Sequence, residues 1–65
     1  MKKFWVNVEK AKHPRPDDKR EYTAVYGVDI NDAVSYAYDY LVPSFGIWEV
    51  TICAENWKTI YHKIW

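Results

Sequence analysis

The chain has one cysteine, two glycines and three prolines in 65 residues, and no long apolar run. Each scarcity excludes something. Cys53 alone cannot form an internal disulfide, nor can it build a Cys-rich metal site, and a reducing cytosol suits it. Gly27 and Gly46, far apart, cannot make a glycine-rich phosphate loop. No stretch approaches the ~20 apolar residues of a membrane span. Lys2-Lys3 leads straight into FWVNV without the apolar stretch and cleavage site of a signal peptide. The expectation is a soluble protein of the cytoplasm that does not engage a membrane. His13 and His62 have no Cys or second His at ligand spacing, so a metal ion or other cofactor is not expected.

A further absence lies in the charge pattern. Lys and Arg number nine and Asp and Glu nine, for a net charge of zero, but they are segregated. Residues 1–20 carry +4, residues 21–57 carry −6 with no cation, and Lys58 and Lys63 close the chain at +2. If the fold separates these blocks, the molecule is bipolar and steers toward a charged partner; if strands interleave them, the field cancels. What the chain has in excess is aromatic surface. Four Trp, six Tyr and two Phe make up 18% of it. Each buries roughly 150–250 Å², which compensates for a length near the lower limit of unaided folding.

One stretch has a helical repeat. Over residues 29–42, Ala33, Tyr36, Ala37, Tyr40 and Leu41 fall at i, i+3, i+4, i+7 and i+8, which predicts one core-facing helix and leaves Tyr38 the most exposed tyrosine on it. Asp29 is placed to cap it, Asp32 to reach back to exposed N–H groups, and Pro43 to end it. Around the helix the periodicity is two. Phe4, Val6 and Val8 alternate with Trp5, Asn7 and Glu9, predicting a strand whose first set enters the core and whose second faces outward. Residues 10–20, with Pro14, Pro16 and seven charged residues, read as a basic hairpin loop. Glu21 to Val28 is a second strand, with Tyr22, Ala24, Tyr26 and Val28 on one face. Ile47 to Ala54 is a third. Ala54-Glu55-Asn56 forms a turn, and Trp57 to Trp65 is a fourth strand or a short helix. The fold class is α+β: one small domain, β-β-α-β-(β), an antiparallel-dominated sheet with one helix packed on one face.

Catalysis finds little support. Cys53 and His62 lack a third, orienting group, and a 65-residue chain rarely encloses the cleft that paired carboxylates require. The chain reads as a non-enzyme with no small-molecule substrate. Trp5, Tyr22, Tyr26, Trp48 and Trp57 are possible stacking platforms for single-stranded nucleic acid, but a pI of about 6.7 argues against it. Protein binding remains, since aromatic surface with a charged rim suits an interface. Trp5 is the first candidate contact, standing opposite Phe4 and Val6; the alternative is that the terminal segment or the basic loop covers it. Arg15 and Arg20 of that loop are further candidates.

Lys2-Lys3-Phe4-Trp5, Val8-Glu9, Asp32-Ala33-Val34, Ala37, Leu41-Val42-Pro43 and Glu49-Val50-Thr51 together resemble the small host RNA polymerase inhibitors that certain short-tailed phages encode as their gene two. The resemblance covers roughly residues 2–54 in the same order and nearly the same spacing. It implies a β-β-α-β protein without catalysis that wedges into the DNA channel of bacterial RNA polymerase, against the jaw of the largest subunit, and hinders promoter DNA from loading. The family grips the polymerase through two arginines just after the EVT motif, where this chain has Ile52 and Ala54. It also carries acidic residues on the helix where this chain has Ser35 and Tyr38. Lys58 and Lys63, in a segment beyond the family's usual end, are the candidates to replace those arginines, and Tyr61 of the same segment is a further candidate contact. The alternatives are a relative of the same scaffold that inhibits a different host or defence protein, and a single-strand nucleic-acid-binding module.

Overall fold

A computed structural model of the chain describes residues 1–10, 20–42 and 46–64. The strands are β1 (Lys2–Lys10), β2 (Thr23–Gly27), β3 (Trp48–Ala54) and β4 (Thr59–Ile64); the helix α1 (Ile30–Tyr36) runs on into a π-helical turn, Ala37–Leu41. All three strand pairings are antiparallel, and the sheet order is β2-β1-β3-β4. This is the α+β sheet with one helix expected from the sequence, and the terminal segment is a strand. The charge blocks are interleaved, because β1 from the basic block lies between β2 and β3 from the acidic one. The loop over 11–19, Arg15 included, lies outside the described residues, as do 43–45 and 65.

The core forms where α1 covers one face of the sheet. Phe4 and Val6 of β1, Val25 of β2, Val50 and Ile52 of β3, and Ala33 and Ala37 from the helical segment are buried. Register explains the set: Phe4 pairs with Val25 and Val6 with Ile52, so period-two alternation turns all four to the same side. Val8, opposite Val50, packs at the rim.

The helix presents a different stripe from the expected one. Ile30, Ala33, Val34, Ala37, Tyr38 and Leu41 face the sheet. Tyr36 and Tyr40 turn to solvent and pack against each other, ring centroids 5.0 Å apart. Two alanines on the inner face let the helix backbone approach the sheet, and tyrosines there would hold it off. Tyr38, expected outside, packs on the core and sets its hydroxyl 3.2 Å from that of Tyr61 on β4. In the π-helical turn the Val42 N–H donates to Ala37 O at 2.8 Å, five residues back. The helix start is as expected: Asp29 Oδ1 accepts from the N–H groups of Asn31 and Asp32, while Asp32 Oδ2 reaches back to the Val28 N–H at 2.7 Å. Gly27 makes that return possible, since a Cβ there would stand 2.5 Å from Asp32 Cβ.

Three strands also depart from the simple pattern. In β2 the inward residue is Val25, and the tyrosine-bearing set Ala24 and Tyr26 is exposed on the far face. In β1 and β3 both faces are buried: Asn7, Glu9, Thr51 and Cys53 are as hidden as the core, on the side away from α1.

Candidate functional site

That far face holds aromatic and charged side chains, Trp5, Glu49 and His62 among them, around the buried Asn7, Glu9, Thr51 and Cys53. It is organised in rows across the sheet, each set by the strand register. At one end stands an aromatic stack. Trp5 on β1 lies face to face with Trp57, centroids 4.4 Å apart and planes 7° from parallel. Lys3 holds its ammonium 4.2 Å from the centroid of the Trp5 ring, a cation–π contact. Tyr22 meets Trp57 edge to face at 5.1 Å, and Trp5 Nε1–H donates to Glu55 O at 3.2 Å. Trp57 closes the stack, yet 52% of its surface stays open.

The backbone makes Trp57 unusual. Glu55, Asn56 and Trp57 form a three-residue turn between Ala54 and Lys58 on the way from β3 to β4, closed by Trp57 N–H to Ala54 O at 2.9 Å and Ala54 N–H to Lys58 O at 2.8 Å. Such loops end on a residue with left-handed backbone, normally glycine or asparagine. Here it is tryptophan, with φ of 69°. A bulky residue in that region is strained and persists only where its surroundings compensate. Stacking on Trp5 supplies the compensation.

The middle rows are polar. Asn7 pairs across the strands with Thr51, and Thr51 in turn with His62. Asn7 Nδ2 donates to Glu21 O at 2.8 Å, whereas Asn7 Oδ1 and Thr51 Oγ1 find no hydrogen-bond partner among the described residues. In the next row Glu9 faces Glu49, two like charges directly opposite, a repulsive pairing when left alone. Arg20 bridges them, its guanidinium 3.9 Å from each carboxylate, and His62 Nε2–H donates to Glu49 Oε2 at 3.0 Å. The Cys53 thiol is buried 3.7 Å from Thr59 Oγ1, and His62 Nε2 is turned to Glu49.

Among the sequence-derived candidates, Trp5 and Arg20 fall on this face. Ile52 does not: it is fully buried against the helix, in a strand enclosed between β1 and β4, and offers a partner no surface. Ala54 is half-buried opposite Phe4 at the end of β3. Lys58 is exposed directly across the hairpin from Ala54. Tyr61 and Lys63 lie on the α1 side of β4, opposite Ile52 and Val50. The hydrogen bond that the Tyr61 hydroxyl shares with Tyr38, and burial, hold its pKa up at about 12. Trp57, which the sequence offered only as a possible stacking platform, joins the site, as do Lys3, Glu49 and His62, which the sequence did not single out as contacts. The sequence pattern assigned Trp57 to the strand that follows the turn, whereas it closes the turn itself.

Among the described residues no helix is long and apolar enough to cross a membrane, and no three His, Cys, Asp or Glu side chains are grouped to hold a metal ion. No family model, curated protein or solved structure matches the chain.

Proposed function

We propose that this chain is a non-enzymatic inhibitor, phage-encoded and acting in the host bacterial cytoplasm, that binds RNA polymerase in its DNA channel and keeps promoter DNA from loading. The observation that carries a binding role is the open half of Trp57. The fold tolerates a strained backbone to hold a large aromatic surface outward, beside Lys58 in sequence and stacked on Trp5, whose ring carries Lys3, and an aromatic anchor with nearby cations suits the centre of an interface. The target rests on the resemblance. Its motifs are spatial neighbours in this fold: Val8-Glu9 pairs in register with Glu49-Val50, and Ala33 lies in the same core as Val50. Those residues maintain the scaffold. Gripping contacts come from elsewhere, because Ile52 is inside.

Lys58 and Lys63 take over the lost arginines in this reading. Purified bacterial RNA polymerase should bind the chain, and the Lys58→Ala/Lys63→Ala double variant should bind at least tenfold more weakly. Equal binding by the double variant would refute the replacement. The Trp5–Trp57 stack also favours a second reading, in which bases of single-stranded DNA stack on it. That reading predicts DNA affinity falling by orders of magnitude between ~50 and ~200 mM salt; the inhibitor reading predicts no such binding.

A further inference from the structure

The outer face of the helical segment differs from an ordinary solvated one. Tyr36 and Tyr40 stand there 40% and 74% exposed, ring centroids 5.0 Å apart, packed on each other rather than on the core. Aromatic side chains lose rotamer freedom in a helix, so at positions facing water a long charged residue would favour the helix more. Asp39, also exposed, falls three residues after Tyr36 and one before Tyr40, on the side they share. Its carboxylate is in the last turn, at the negative end of the helix dipole, where a cation is favoured and an anion is not. No basic residue occupies that turn. Nor does a neighbour in sequence supply one, since residues 21–57 hold six carboxylates and no Lys or Arg. Asp39 and Tyr40 belong to the π-helical turn, a form frequent at functional sites.

We propose that this outer face, centred on Tyr36, Asp39 and Tyr40, docks an arginine-bearing segment of a partner protein. Charge sets the sign of the occupant. A cation relieves the repulsion between Asp39 and the dipole, whereas the phosphates of a nucleic acid would add to it. The rings choose among cations. A planar guanidinium stacks on a phenol ring and turns its N–H fork to the Asp39 carboxylate, so one side chain meets both groups. A lysine ammonium, a strongly hydrated point charge, meets the carboxylate and gains less from the rings. The inference does not depend on the polymerase reading.

The test titrates the isotopically labelled full chain with short blocked peptides that alternate Gly with Arg, Gly with Lys or Gly with Glu, followed by amide NMR. The Gly-Arg peptide should shift the resonances of residues 35–41 saturably, the Gly-Lys peptide should bind there roughly threefold more weakly for want of stacking, and the Gly-Glu peptide should leave them in place. Two variants with exposed substitutions divide the contributions. Asp39→Asn, which removes the unfavourable charge from the helix end, should weaken binding of both cationic peptides. Tyr36→Leu/Tyr40→Leu should abolish the preference for arginine and leave the attraction of either cation, with the spectrum of the strands unchanged. Equal affinity of the unaltered chain for the two cationic peptides would overturn the proposal, as would shifts centred on Glu9 and Glu49, or no saturable shift. So would shifts of 35–41 that follow the concentration of the chain alone, which would make a second copy the occupant.

Discussion

Replacing Trp57 separates two opposed contributions at one position. Trp57 is about half-buried, which removes on the order of 100 Å² from water and stabilises by about 2.5 kcal/mol. The parallel stack on Trp5 adds roughly 1 kcal/mol beyond area. Against this, the left-handed backbone costs any non-glycine residue about 1–2 kcal/mol. Trp57→Ala loses the contacts and keeps the strain, so it should destabilise by about 3 kcal/mol. Trp57→Gly loses the same contacts but is relieved of the strain, less the ~0.5–1 kcal/mol that glycine's looser unfolded chain takes back. The glycine variant should therefore be the more stable of the two by about 0.5–1 kcal/mol, the reverse of their order in regular structure. Urea unfolding at low temperature, monitored by far-UV circular dichroism, reads this directly. Thermal melts should place the glycine variant roughly 2–8 °C higher. If alanine equals or exceeds glycine, the backbone at this position is unstrained and the argument that Trp57 is retained for its exposed surface fails.

Other perturbations probe the elements around the site. Gly27→Ala should cost about 1–3 kcal/mol by overpacking, because its Cβ would meet Asp32 Cβ at 2.5 Å; thermal unfolding would show it. Arg20→Ala leaves Glu9 and Glu49 opposed, and stability measured in urea should fall by roughly 2 kcal/mol, less than the 3–5 kcal/mol of a fully buried pair. Tyr61, with its pKa raised to about 12 above an ordinary 10, contributes stability that is complete below pH 10 and is lost as pH rises toward 12. Phenolate absorbance should show a component for Tyr61 near pH 12, and Tyr38→Phe should lower it toward the ordinary 10.

The sheet was legible because alternation in β1 and β3 is strong enough to fix their faces without any tertiary information. The helix was legible in its capping: Asp29 and Asp32 make the bonds their spacing suggested. Its buried face was misjudged, because counting tyrosines as core residues ignored what the alanines do. A helix pressed close to a sheet needs small residues at the contact, and the stripe through Ile30, Ala33, Ala37 and Leu41 satisfies that where Tyr36 and Tyr40 cannot. The exposure of Tyr26 follows from strand register, which a single strand's pattern does not reveal. Trp5 was readable as an open-face residue. Its partner was not, since stacking on Trp57 depends on the left-handed residue that ends the β3–β4 loop, and no local rule places tryptophan there. Ile52 was legible as a strand residue with an apolar side chain, and it is buried as such a residue should be.

Order of addition in a run-off transcription assay tests the central reading most directly. If the chain occupies the DNA channel, adding it to purified bacterial RNA polymerase before promoter DNA should suppress full-length transcript, and adding it after open complexes have formed should suppress far less. No inhibition in either order, or equal inhibition in both, would contradict a protein that works by keeping DNA from loading.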